Sequence, residues 1–193
     1  MRKVLKSIEL RRKILHILVG IAIILMALFL SQVKWILFFA AAAGILLSIV
    51  SLYMRVPVVS FFLENFERPH YRKVFPGKGL LFFVAGSLLV LKLFPREIAL
   101  ASIAILTLSD PFFSFEKRVF NGLFTPKTIS GLLIGMALGT LAASFFITLI
   151  QALIASLFAA IVESLTIFLG SDRVDDNIII PLAVGTILYL IIP

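Results

Sequence analysis

Apolar residues run along this chain in blocks too long for a soluble core, broken by short polar stretches. A helix needs about 20 mostly apolar residues to cross about 30 Å of hydrocarbon. On that measure spans are expected near 14–30, 34–53, 79–94, 98–113, 129–148, 152–169 and 178–193. The stretch from Ile129 to Leu169 is too long for one span, with only Gln151 and Glu163 strongly polar, and is divided near Thr148–Gln151. The expected fold class is all-α: a polytopic transmembrane bundle of about seven spanning helices in one domain. The longest connection, an interfacial segment over 55–78, carries Val58, Val59, Phe61, Phe62, Leu63 and Phe66. These form one apolar side of a short helix lying in the membrane interface, limited by Pro69 and Pro76. Gly131, Gly135 and Gly139 are spaced as a close-packing seam down the fifth span.

Composition agrees with the blocks. Hydrophobic residues are 61% of the 193 positions and charged residues 15%, against about 45–50% and about 25% in soluble domains. The first apolar block is too long for a signal-peptide core and lacks an Ala-x-Ala cleavage site, so a retained helix is expected. The absence of cysteine removes disulfides, zinc–thiolate sites and thiol nucleophiles.

Charge then orients the spans. With the N-terminus inside, the outer segments hold only Lys34, Lys92 and Arg96 of the 18 Lys and Arg residues. Positive residues mark the cytoplasmic side, so the N-terminus is expected inside and the C-terminus outside. The +8 net charge follows from topology and attraction to anionic headgroups. No nucleic-acid recognition module accompanies it.

Polar residues of chemical interest gather at that same face. Glu9, Arg12, Lys13, His16 and Gly20 share one side of a helix entering the membrane. Gly77-Lys78-Gly79 opens the third span, where backbone N–H groups and a lysine suit a phosphate. Asp110, before Pro111, lies at or just outside hydrocarbon depth, where a carboxylate meets a cation or metal. Thr125-Pro126-Lys127-Thr128 leads into the fifth span with hydroxyls that cap a helix and a lysine that holds an anion. Glu163, seven residues before Gly170, is an intramembrane acid about 10 Å inside the boundary at about 1.5 Å per residue. Asp172, Asp175 and Asp176 precede the last span beside Asn177, as a Mg²⁺ site or as a solvated loop with a helix cap.

In this order the clusters resemble the CTP-dependent lipid-alcohol kinases: dolichol kinase, phytol kinase and the CTP-using diacylglycerol kinases. The resemblance rests on Glu9-x-x-Arg12-Lys13-x-x-His16-x-x-x-Gly20, the Lys78-Gly79 helix opening and the Asp110 helix end. Lys127-Thr128-x-x-Gly131 and the Glu163…Asp176-Asn177-x-x-x-Pro181 ending complete it, over nearly the whole chain. Two departures stand out: Pro111, Phe112 and Phe113 where that family has small residues, and Ser130 where it has an acid. The phosphatidate cytidylyltransferases are similar at Thr125-Pro126-Lys127-Thr128 and Asp172-Arg173-x-Asp175, but their Pro-Gly-His-Gly-Gly run is missing.

The kinase resemblance implies transfer of the γ-phosphoryl group of CTP to a polyprenol, phytol-like alcohol or diacylglycerol, at the cell membrane of a prokaryote or the endoplasmic reticulum of a eukaryote. It implies Mg²⁺ on Asp110, Asp175 and Asp176. Arg12, Lys13, Lys78, Lys127, Thr128 and Asn177 would meet the nucleotide, with Glu9 and Gly131 orienting. Glu163 or His16 would take the proton, alongside Asp110 in the catalytic set. The other classes are a cytidylyltransferase making a CDP-lipid, a transporter and a non-enzymatic membrane protein. Transport calls for ionisable groups at the bilayer midplane, whereas these sit toward one face.

Overall fold

The computed structural model describes residues 2–113, 129–165, 168–169 and 172–192. Among them the chain forms nine helices and one very short antiparallel strand pair. The helices are α1 (Arg2–Phe29), α2 (Val33–Tyr53), α3 (Pro57–Phe66), α4 (Tyr71–Val74), α5 (Lys78–Leu93), α6 (Arg96–Phe113), α7 (Ile129–Ala143), α8 (Leu149–Ser164) and α9 (Asp176–Ile191). Each of the seven long apolar blocks therefore becomes one helix, and the interfacial segment becomes α3 and α4.

Two helices are long and apolar enough to cross a membrane, Ile8–Phe29 and Val33–Tyr53. Only 17% and 11% of their most apolar windows are buried, and Leu18, Leu25, Phe39 and Leu46 stand exposed. Helices α7, α8 and α9 are apolar but shorter. At about 1.5 Å per residue, the 16 residues of α8 or α9 reach about 24 Å.

The core is organised around α6, whose residues from Ile98 to Thr107 are all buried. It packs against α1, α5, α7, α8 and α9. Small residues set the approach distances. A Cβ on Gly20 would fall 2.2 Å from Thr107 Oγ1, so α1 touches α6 only because this position is glycine. The seam on α7 is real: Cβ atoms on Gly131, Gly135 and Gly139 would meet the Phe112 carbonyl at 2.8 Å, the Phe113 ring at 2.5 Å and Ser109 Oγ at 2.2 Å. Ser109 Oγ donates to the Gly135 carbonyl at 2.8 Å across it.

Several boundaries differ from the sequence expectation. Helix α6 ends at Phe113 as the span predicts, but Asp110 does not close it: the helix runs on through Pro111. Proline removes one main-chain donor, and burial of Pro111 and Phe113 against the rest of the bundle holds that turn. The division of the 129–169 block falls about a turn earlier than Thr148–Gln151, from Ser144 to Thr148, and Gln151 lies inside α8. Thr148 caps α8: its hydroxyl accepts from Gln151 N, and Gln151 Oε1 accepts from Thr148 N at 3.0 Å. Thr148→Ala is expected to cost about 1 kcal/mol, read as a lower thermal midpoint in detergent, with Thr148→Ser close to wild type. Equal midpoints for Ala and wild type would show the cap is dispensable.

The sixth block ends as helix at Ser164, not Leu169. Residues 168–169 instead pair antiparallel with 172–173, Phe168 opposite Arg173 and Leu169 opposite Asp172. The sequence carries a signal for this: aromatic and branched residues before Gly170-Ser171, a two-residue hairpin loop signature. Helix α3 also departs from the expected single apolar side. Val58 and Phe61 are exposed, while Leu63 is buried and Phe62 and Phe66 turn inward with ring centroids 4.9 Å apart.

Candidate functional site

A cavity of about 710 Å³ opens among α1, the α3–α4 segment, the starts of α5 and α9, and the end of α6. It gathers Arg12, Lys13, His16, Lys78, Asp110, Asp175, Asp176 and Asn177. Those are eight of the thirteen residues singled out above.

Two helix N-termini build its floor. Gly77 adopts φ 78°, a left-handed conformation natural to glycine, and releases the chain into α5 at Lys78. Asp175 caps α9: its Oδ1 accepts from Asn177 N at 3.1 Å and from Asn177 Nδ2 at 2.8 Å. Asn177 Nδ2 also reaches the Gly79 carbonyl at 3.3 Å, tying the two helix starts together. The contact exists because Gly86 lacks a side chain; a Cβ there would sit 2.2 Å from the Asn177 carbonyl oxygen. The positive dipole ends of two adjacent helix starts favour an anion between them. Lys78 Nζ stands beside them, 5.3 Å from the Tyr71 ring and 5.4 Å from the Phe82 ring.

On α1, His16 packs on Phe83 with centroids 4.3 Å apart. Its Nε2 lies 3.2 Å from the Leu106 carbonyl. A carbonyl only accepts, so Nε2 carries the proton and Nδ1 is the ring's acceptor. Arg12 Nη1 lies 3.2 Å from Glu9 Oε2. Glu9 Oε1 also accepts from Arg68 Nε at 3.0 Å and from Arg68 Nη2. Glu9 thus orients two arginines rather than meeting a ligand itself.

Burial pushes the Asp175 carboxyl above the ordinary aspartate range. The Asp176 charge adds to this, and the Asn177 hydrogen bonds and the Lys78 ammonium oppose it. Glu67 is likewise pushed up, mainly by burial, against the Arg68 backbone N–H and the guanidinium groups of Arg12, Arg68 and Arg72. Because the folded value lies above the unfolded one, Glu67 favours the folded state fully below about pH 4.3. That contribution is lost as pH rises through the folded value. Glu67→Gln is therefore expected to gain in thermal midpoint on the wild type between pH 4 and 7. A difference that stays constant across that range would contradict it.

The oxygen-rich donor set suits Mg²⁺. Asn177 Oδ1 is buried with no hydrogen-bond partner among the described residues, beside the Asp175 carboxylate. Among the described residues no group of three or more His, Asp or Glu side chains gathers at metal-ligating spacing. Mg²⁺ commonly takes one or two carboxylates and completes its shell with water and substrate phosphates, so Asp175, Asp176 and Asn177 fit that mode.

The remaining candidates lie elsewhere. Glu163, 1% exposed, does not line the cavity. Because α8 stops at Ser164, this acid sits in the helix's last turn rather than two turns inside it. Gly131 belongs to the α6–α7 seam. Lys127 and Thr128 lie outside the described residues.

Sequence reasoning missed Glu67, Arg68, His70 and Tyr71, all of which line the cavity with Phe62, Phe66 and Phe75. Their signal was the polar run Glu67-Arg68-Pro69-His70-Tyr71-Arg72 inside an apolar chain, read only as loop charge. Arg72 closes α3, donating to the Glu67 and Glu64 carbonyls at 2.9 Å each. No protein-family model, curated protein or solved structure matches the chain.

Proposed function

We propose that this is an integral membrane kinase that transfers the γ-phosphoryl group of CTP to the hydroxyl of a lipid alcohol, with Mg²⁺. The observation that carries the reading is the shared cavity: cationic Arg12, Lys13 and Lys78 face carboxylates Asp110, Asp175 and Asp176 beside a histidine. Phosphoryl transfer needs mostly positioning and charge neutralisation, and these groups supply both. The ordered motifs from Glu9 to Asn177 add the family resemblance.

In this reading seven helices span the bilayer with the N-terminus cytoplasmic, supported by the one-sided Lys and Arg distribution and the exposed apolar faces of α1 and α2. The shorter helices fit a locally thinned bilayer.

Lys78 and the N-termini of α5 and α9 hold the phosphates. Asp175, Asp176 and Asn177 would hold the metal, which would supply charge neutralisation for the transferred phosphoryl group. Arg12, fixed by Glu9, and Lys13 face the transferred group. The alcohol oxygen attacks the γ-phosphorus, the bond to the β–γ bridging oxygen breaks, and CDP leaves. His16 Nδ1 accepts the alcohol proton; Glu163, outside the cavity, is not assigned this step.

The test is purified protein in lipid vesicles with Mg²⁺ and CTP labelled at the γ-phosphate. Label on an added alcohol is the expected result. Pyrophosphate with a CDP-lipid formed from phosphatidate would make it a cytidylyltransferase, and label on no lipid would end the kinase reading.

A further inference from the structure

At the start of α5 the cavity wall holds one cation between two aromatic rings. Lys78 Nζ lies 5.3 Å from the Tyr71 centroid and 5.4 Å from the Phe82 centroid, and all three residues line the cavity. Phe82 stands one turn after Lys78 on α5 and so shares its side of the helix. Tyr71 comes from α4, and its place is fixed from both directions. Its N–H donates to the Arg68 carbonyl at 3.0 Å, and Arg68 Nε is anchored on Glu9 at 3.0 Å. Its carbonyl accepts from Phe75 N at 2.9 Å, and the Phe75 ring meets Phe82 edge-on at 5.7 Å. Neither Tyr71 nor Phe82 belongs to the ordered motifs.

Resting on the kinase reading's placement of phosphate at Lys78, we infer that Tyr71 and Phe82 are positioning residues: their rings hold the Lys78 ammonium at the helix starts as an unneutralised cation, ready for a phosphate. A flexible lysine at this place has an acidic alternative. The Lys78 charge already reaches Asp175 and opposes the rise of its carboxyl. A lysine that swung fully onto Asp175 would cancel the two charges that a phosphate and Mg²⁺ each need. A ring face attracts an ammonium through its quadrupole and brings no opposite charge, so the slot holds the cation without neutralising it. Fixing the four-carbon stem before the ligand arrives also removes an ordering cost from binding.

The experiment titrates the full-length protein in detergent with Mg²⁺ and either CTP or inorganic tripolyphosphate, which has phosphates but no base. Tyr71→Leu with Phe82→Leu is expected to weaken both probes equally, by about threefold to thirtyfold. Tyr71→Phe, which keeps the ring, is expected to stay within about twofold of wild type. In a Lys78→Met background the leucine pair is expected to change affinity by less than about twofold, because the rings then have no cation to hold. A purely structural role would weaken binding equally in both backgrounds, and that result overturns the inference. So does a loss confined to CTP, which would make the rings a platform for the base, or a wild-type protein that binds no tripolyphosphate. If the pair does not fold, Tyr71→Leu alone carries the same test. If Lys78→Met binds too weakly to titrate, thermal midpoints of the four ligand-free proteins are compared, and additive shifts overturn the slot. Turnover separates the two readings: coupling without label on any lipid keeps the slot and sinks the kinase, whereas label on a lipid without coupling keeps the kinase and sinks the slot.

Discussion

Asp175→Asn is expected to lower phosphoryl transfer from CTP by about 100-fold or more while leaving the fold intact. The two roles of this residue make the substitution informative. As a helix cap, Asp175 needs only an acceptor oxygen for Asn177 N and Asn177 Nδ2, and asparagine caps as well as aspartate. As a metal and charge partner it needs a full negative charge, which asparagine lacks. The measurement is initial rate with γ-labelled CTP, alongside the thermal midpoint in detergent. A variant that melts like wild type yet transfers phosphate at a normal rate would remove Asp175 from the metal set. Proton competition gives an independent check: with its carboxyl pushed up by burial, Mg²⁺-dependent nucleotide binding should fade on acidification earlier than for an ordinary aspartate.

Gly86→Ala is expected to destabilise the protein by about 1–3 kcal/mol and to weaken nucleotide binding together with it. The added Cβ would lie 2.2 Å from the Asn177 carbonyl oxygen and 3.3 Å from Ile178 Cα. Both are main-chain atoms, so no rotamer relieves the clash and α9 must move off α5. That shift breaks the Asn177–Gly79 bond and separates the two helix starts that face the cavity. Gly79→Ala is the stability control, since its Cβ would meet nothing within 4 Å. A Gly86→Ala protein with wild-type midpoint and wild-type nucleotide affinity would show that the α5–α9 crossing is softer than its geometry implies.

The candidate site was legible to the extent that its residues repeat at helical spacing or sit at helix starts. Arg12, Lys13 and His16 share a face of α1 because offsets of three and four return a side chain to the same side. Lys78 and Asn177 stand out because glycine and acidic residues punctuate helix starts. Glu163 misled because its depth was measured from Gly170, whereas the helix stops at Ser164 and the chain pairs as a strand beyond it. Arg68 and Glu67 stood out only as a polar run in an apolar chain, not as site residues. Nothing local distinguishes a loop arginine that anchors on Glu9, far away in sequence, from one that sits in water.

Sequence alone determined where most helices form: apolar blocks of sufficient length, opened by Gly77 or the Thr148–Gln151 pair and parted around Pro69 and Pro76, since these are properties of a few neighbouring residues. Only the tertiary structure decided which polar groups meet. The crossing of α5 and α9 at Gly86, the close approach of α1 to α6 at Gly20 and the anchoring of Arg68 on Glu9 are contacts between distant segments. Their geometry depends on how whole helices pack, and no local period encodes it.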